Sequence, residues 1–108
     1  MAHPQLLAIT NTAVLISKVP CRVKAIYAFN AANASGFLQL FNTNAAANVT
    51  LGTTGPDGSY GTATLTPIYP DLGEGLDFPG GLVAACTTTY NGAAALSASM
   101  IVNFVIGP

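Results

Sequence analysis

Charge is what this sequence lacks most. Lys and Arg total 3 and Asp and Glu total 4, or 6% of 108 residues, where an ordinary soluble domain carries about 25%. Three cations are too few to line a groove that tracks nucleic acid. A net charge of −1 gives no global field to steer the chain to nucleic acid or anionic lipid. Histidine is nearly absent too: His3 is the only one, and without a base beside Ser, Cys or Thr no nucleophilic triad is expected. No phosphate-cradling Gly-rich loop precedes a helix, no stretch approaches the roughly 18 apolar residues of a membrane helix, and no repeat of 20 to 50 residues emerges. The opening Met1-Ala2-His3-Pro4 lacks the basic and apolar regions of a secretion signal.

What remains is apolar and hydroxyl-rich. Hydrophobic residues make up 51% of the chain, and a mean hydropathy of +0.52 is enough for a full core in one domain of this size. A folded monomer of 10.9 kDa exposes about 5,600 Å² by area scaling, so each charge serves about 800 Å². Free monomers hold charge at roughly a quarter to a third of surface positions, so this surface reads as one meant to be covered. The alternative is a monomer solubilised by Thr, Asn and Ser. The few charges are segregated, with Lys18, Arg22 and Lys24 early and Asp57, Asp71, Glu74 and Asp77 late. Copies could dock basic patch to acidic loop, against the plainer reading of solvation charge on strand edges. Cys21 and Cys86, each in an apolar strand pattern, read as buried free thiols, with a single bridge as the alternative.

Short apolar segments separated by Asn, Gly, Pro and Thr clusters predict an all-β antiparallel sandwich or barrel. Residues 1–5 read as a flexible arm and 6–108 as a single domain. The predicted strands are Leu6 to Thr10, Thr12 to Ser17, Cys21 to Asn30, Phe37 to Asn42, Val49 to Leu51, Thr62 to Tyr69, Gly81 to Tyr90 and Ala98 to Ile106. A short pairing is expected at Leu76 to Phe78. Period-two alternation puts Cys21, Val23, Ala25, Tyr27 and Phe29 on one face, with Arg22 and Lys24 beginning the other. In the last strand Ala98, Met100, Val102, Phe104 and Ile106 share a face, and the opposite side is polar only in part, so both faces read as covered. Gly55-Pro56-Asp57-Gly58 reads as a tight turn, Asn91-Gly92 has the residue pair favoured in type I′ turns, and Pro67 marks an edge strand or bulge. Asn42 to Asn48, though rich in Ala, reads as a loop.

Candidate chemistry is sparse. Asp71, Glu74 and Asp77 sit three residues apart in a Gly-rich loop that could gather oxygens around Ca²⁺, but the spacing and charge of calcium loops are missing, so a solvated loop is expected. Tyr27, Tyr60, Tyr69 and Tyr90 could form a stacking or sugar-binding platform; tyrosines more often cap a core or fill an interface. Asn33-Ala34-Ser35 and Asn48-Val49-Thr50 match the glycosylation pattern by chance. His3 reads as a bystander. No catalytic, cofactor-binding or metal-binding residue is assigned, and no enzyme activity is expected.

The runs Arg22-Val23-Lys24-Ala25-Ile26-Tyr27-Ala28-Phe29-Asn30, Gly36-Phe37-Leu38-Gln39-Leu40-Phe41 and Val49-Thr50-Leu51-Gly52-Thr53-Thr54, followed by Leu76-Asp77-Phe78-Pro79-Gly80-Gly81-Leu82-Val83-Ala84-Ala85-Cys86-Thr87-Thr88-Thr89 and Ile101-Val102-Asn103-Phe104, resemble a family of small tailed-phage virion proteins of the capsid decoration or cement type. The chain departs from that pattern in its longer Pro70 to Glu74 segment and in ending at Ile106-Gly107-Pro108, where an aromatic is usual. The resemblance implies a β-sandwich, often jelly-roll-like, which forms homo-oligomers on the capsid exterior and stitches the major capsid protein, with no catalytic residue; the segments above supply about eight strands, and the charge and segment lengths give no nucleic-acid or membrane partner. The alternative expectation is a tail or head-fibre module that binds a cell-surface glycan through exposed tyrosines.

Overall fold

The computed structural model describes residues 3–107, and the side chains of His3 and Pro4 lie outside that description. Nine strands form the framework: β1 (His3–Ile9), β2 (Val14–Ser17), β3 (Cys21–Asn30), β4 (Gly36–Phe41), β5 (Gly58–Thr62), β6 (Pro67–Ile68), β7 (Leu76–Phe78), β8 (Leu82–Thr87) and β9 (Met100–Gly107). One sheet runs β1-β9-β3, with β6 and β7 sharing the far side of β3; the other runs β2-β8-β4-β5. Every described pairing is antiparallel. From the outside in, β1 pairs β9, β2 pairs β8, β3 pairs β7 and β6, and β4 pairs β5. That nesting is one long hairpin rolled up so that its ladder passes alternately between two sheets, which makes the fold a jelly roll.

The core lies between the sheets. Ile9, Val23, Ile26, Leu38, Leu40, Leu82, Met100, Val102 and Phe104 are sealed from water there. The even residues of β9 face this core as their alternation predicts. The chain exposes 5328 Å², close to the scaling expectation, so the scarcity of charge is a property of real surface.

Several local expectations are corrected. Of the expected arm, Met1 and Ala2 lie outside the described residues, whereas residues 3–5 already belong to β1, facing Ile106 to Phe104. Val49 to Leu51 is no strand. A 3₁₀ turn at Ala46–Asn48 runs into a second turn in which the Thr53 and Thr54 amides donate to the Thr50 carbonyl at 3.0 and 2.8 Å, with Gly52 at φ +85°. Local bonds win there because Val49, Thr50 and Leu51 pair with no strand. Thr62 to Tyr69 splits in two, since the chain must cross from one sheet to the other: Thr62 ends β5, Leu65 turns at φ +52°, and Pro67 opens β6 on a sheet edge. Gly55 to Gly58 is not a tight turn either; Gly58 enters β5, and Asp57 accepts the Asn42 amide at 2.7 Å while its own amide donates to Leu40. The Tyr90-Asn91 turn closes through the Gly92 amide to the Thr89 carbonyl. Neither central residue has positive φ, so it is not type I′. Gly81, at φ +107°, is required: a Cβ there would stand 2.7 Å from the Ser17 carbonyl oxygen.

Candidate interaction face

The largest correction concerns β3. Val23 faces Ile106 and Ala25 faces Val105, which leaves Lys24 as an extra, exposed residue. One extra residue in a ladder flips every later side chain to the opposite face. Val23 is therefore in the core, but beyond the bulge it is Ile26, Ala28 and Asn30 that are buried, and Tyr27 and Phe29 turn outward. The sequence carried a signal for this: the face that opens with Arg22 and Lys24 becomes apolar at Ile26, a change no uninterrupted strand with a wet side explains.

The flip builds an unusual outer surface on the first sheet. Its cross-strand rows are Ala8, Ile101 and Phe29 with Pro67, and Leu6, Asn103 and Tyr27 beside Tyr69. Leu6 is 69% exposed, Tyr69 65% and Tyr27 47%. The Tyr27 and Tyr69 rings meet edge to face with centroids 5.2 Å apart, and both line a shallow groove of about 220 Å³ together with Leu6, Phe29, Ile101 and Asn103. No ionisable carboxylate or amine lies among residues 25–29, 67–69 or 101–105. The Asn103 side-chain oxygen is shut off from water and accepts no hydrogen bond, a desolvated acceptor in the middle of an apolar sheet face.

At the opposite end of β3 the Arg22 guanidinium donates to both oxygens of Asp77, at 2.7 and 3.3 Å. That bond, more than anything else near it, raises the Arg22 pKa. Arg22 thus has an ion-pair partner within its own chain, at an exposed position. Beside the pair, an open cleft of about 470 Å³ is lined by Pro20, Cys21 and Pro79. Burial pushes the Cys21 thiol up, though a hydrogen bond with Ser17 opposes it, and burial raises Cys86 as well, so neither is an activated thiolate. Both cysteines are free, Cys86 donating to the Ile9 carbonyl at 2.9 Å.

The other candidates are dispersed. Asp71 caps the Gly73 amide at 2.9 Å, Asp77 holds Arg22 and Glu74 is exposed; among the described residues no three His, Cys, Asp or Glu side chains gather as a metal ion requires. The tyrosines do not form one platform. Tyr60 packs into the core, where burial raises its pKa, and Tyr90 lies against Phe37 on the second sheet with centroids 6.4 Å apart. Asn33 and Asn48 are both exposed. The His3 side chain lies outside the described residues.

Comparison with protein-family models, with curated proteins and with solved structures found no match. The likeness to virion proteins therefore rests on the short runs of sequence alone.

Proposed function

We propose that this chain is a packing module of a phage particle, a decoration or cement protein of the capsid exterior whose outer first-sheet face seats on the major capsid protein. The observation that carries the reading is that face: broad, exposed, apolar and free of charge from Ala25 to Phe29 and across β9. Monomers seldom leave such a surface wet. A standard interface takes about 800 Å² from each partner, and burying apolar area yields about 25 cal/mol per Å² before ordering costs. Repetition over a closed shell multiplies modest contacts through avidity. The jelly roll is compatible with this role, as an analogy of fold only.

The test is co-sedimentation with purified capsids that lack the chain. Wild type binds; Ile101→Lys, which places a cation in the middle of the face, lowers affinity at least tenfold with the fold unchanged by circular dichroism. Equal binding by the variant overturns the reading.

A second reading has its own observation. The Tyr27–Tyr69 pair beside the Asn103 amide offers an aromatic wall and a polar group of the kind that holds a sugar ring. A glycan array separates the two: binding abolished by Tyr69→Ala favours a fibre module.

A further inference from the structure

The free edges of the two sheets are not alike. β6 has two residues, one of them Pro67, β7 has three, one of them Asp77, and β2 has four with a register break between Leu15 and Ser17 before Lys18. β5 carries Gly58 and Gly61. Each edge shows a device that discourages pairing with another chain: brevity, proline, charge, a bulge or glycine. β1 shows almost none. Its seven residues keep unbroken register with β9 from His3 facing Ile106 to Ile9 facing Met100, and Pro4 near its start is the one blunting residue. It contains no Lys, Arg, Asp or Glu, and among the described residues a strand lies on one side of it only. Its end is tied to the second sheet, where the Cys86 thiol donates to the Ile9 carbonyl at 2.9 Å and the Cys86 amide to the Thr10 carbonyl at 2.8 Å.

We infer that β1 is a self-pairing edge: two copies of the chain join β1 to β1 antiparallel about a two-fold axis, making one continuous sheet across both. A strand set antiparallel to its own copy meets donors with acceptors by symmetry, apart from Pro4, which has no N–H to give, so no second sequence is needed. Directly opposite residues must share a face, which places the axis on a residue rather than between two. Leu6 is that residue. At 69% exposed it is the most solvent-accessible of the large apolar side chains described, and packing it against Leu6 of the second copy removes both from water. The absence of charge on β1 means that self-pairing meets no like-charge repulsion. The joined sheet carries the outer faces of both copies side by side on one surface.

The inference is independent of the capsid reading, since an edge dimer forms whether or not its face binds a shell. The test is disulfide trapping in a Cys21→Ser background, with the buried Cys86 left in place, after sedimentation of the parent. The parent sediments as a dimer at micromolar concentration. Leu6→Cys then gives a covalent dimer on a non-reducing gel under mild oxidation, because opposed residues bring Cα atoms to about 4.5–5.5 Å, whereas Ile101→Cys, one strand further in, does not. Leu6→Lys gives a folded monomer with unchanged far-ultraviolet circular dichroism. A parent that is monomeric at all concentrations overturns the inference, and so does a dimer trapped through Ile101→Cys and not Leu6→Cys, which marks face-to-face packing.

Discussion

The two outward faces of this sandwich are built from the same kinds of residue and treated in opposite ways. On the second sheet the outward row of β4 and β8 includes Gln39, Phe41, Val83, Ala85 and Thr87, all at 0–1% exposure. The chain's own loops cover them: Gln39 donates to the Gly92 carbonyl at 3.1 Å, Ser59 to the Tyr90 carbonyl at 2.8 Å, and a Cβ on Gly52 would lie 3.6 Å from Ala93. On the first sheet the corresponding row is wetter, and Phe29 and Ile101 are each 39% exposed. The chain covers one apolar face with its own segments and leaves residues of the other exposed, and that contrast is what the proposed packing role rests on.

The comparison breaks most readily at its aromatic residues. Phe41→Ala, on the covered face, is expected to lower unfolding free energy by about 3–5 kcal/mol. Phe29→Ala, on the bare face, should cost about 1–2 kcal/mol in the isolated chain, because part of that side chain is already in water. Urea midpoints with matched slopes measure both, and equal losses would erase the distinction between the faces.

A smaller effect is expected at Gln39. Its amide nitrogen reaches the Thr87 hydroxyl at 2.6 Å as well as the Gly92 carbonyl, while its side-chain oxygen is buried without a donor. Gln39→Met keeps the volume but strands the carbonyl, so a loss of about 1–2 kcal/mol follows. Amide exchange should quicken in residues 88–92 and stay unchanged in β3. Uniform acceleration would show that the loop is no separate cover.

The smallest effect is one of pH. The thiols of Cys86 and Cys21 and the phenol of Tyr60 are all raised by burial. Each keeps its proton in the fold at a pH where the unfolded chain has lost it. Their contribution is therefore complete below the ordinary thiol value of 9.0 and is lost as pH rises through the folded values. Stability should hold from pH 7 to about 8.5 and decline beyond, and Cys86→Val should flatten that decline in urea titrations at successive pH.

How much of this was legible varied by element. β3 and β7 stand where the alternation and the Gly-Pro punctuation placed them, at Cys21–Asn30 and Leu76–Phe78, since their apolar runs are bounded by residues that cannot extend a ladder. The even residues of β9 were equally readable. The interaction face was not, because one unpaired residue, Lys24, decides whether Tyr27 and Phe29 point in or out, and nothing in a local pattern states which residue a partner strand will skip. Nor could the sequence distinguish Val83 and Ala85, sealed under loops, from Ile101 and Val105 on the bare side.

By itself the sequence determined that the chain is all-β, that it has one core, and that its surface is poor in charge; composition and period-two alternation are local and survive without knowledge of neighbours. Only the tertiary structure decided which apolar residues are covered and which are exposed, and which strands lie at the sheet edges. Those outcomes depend on register between strands far apart in sequence, and a shift of one residue there exchanges inside for outside.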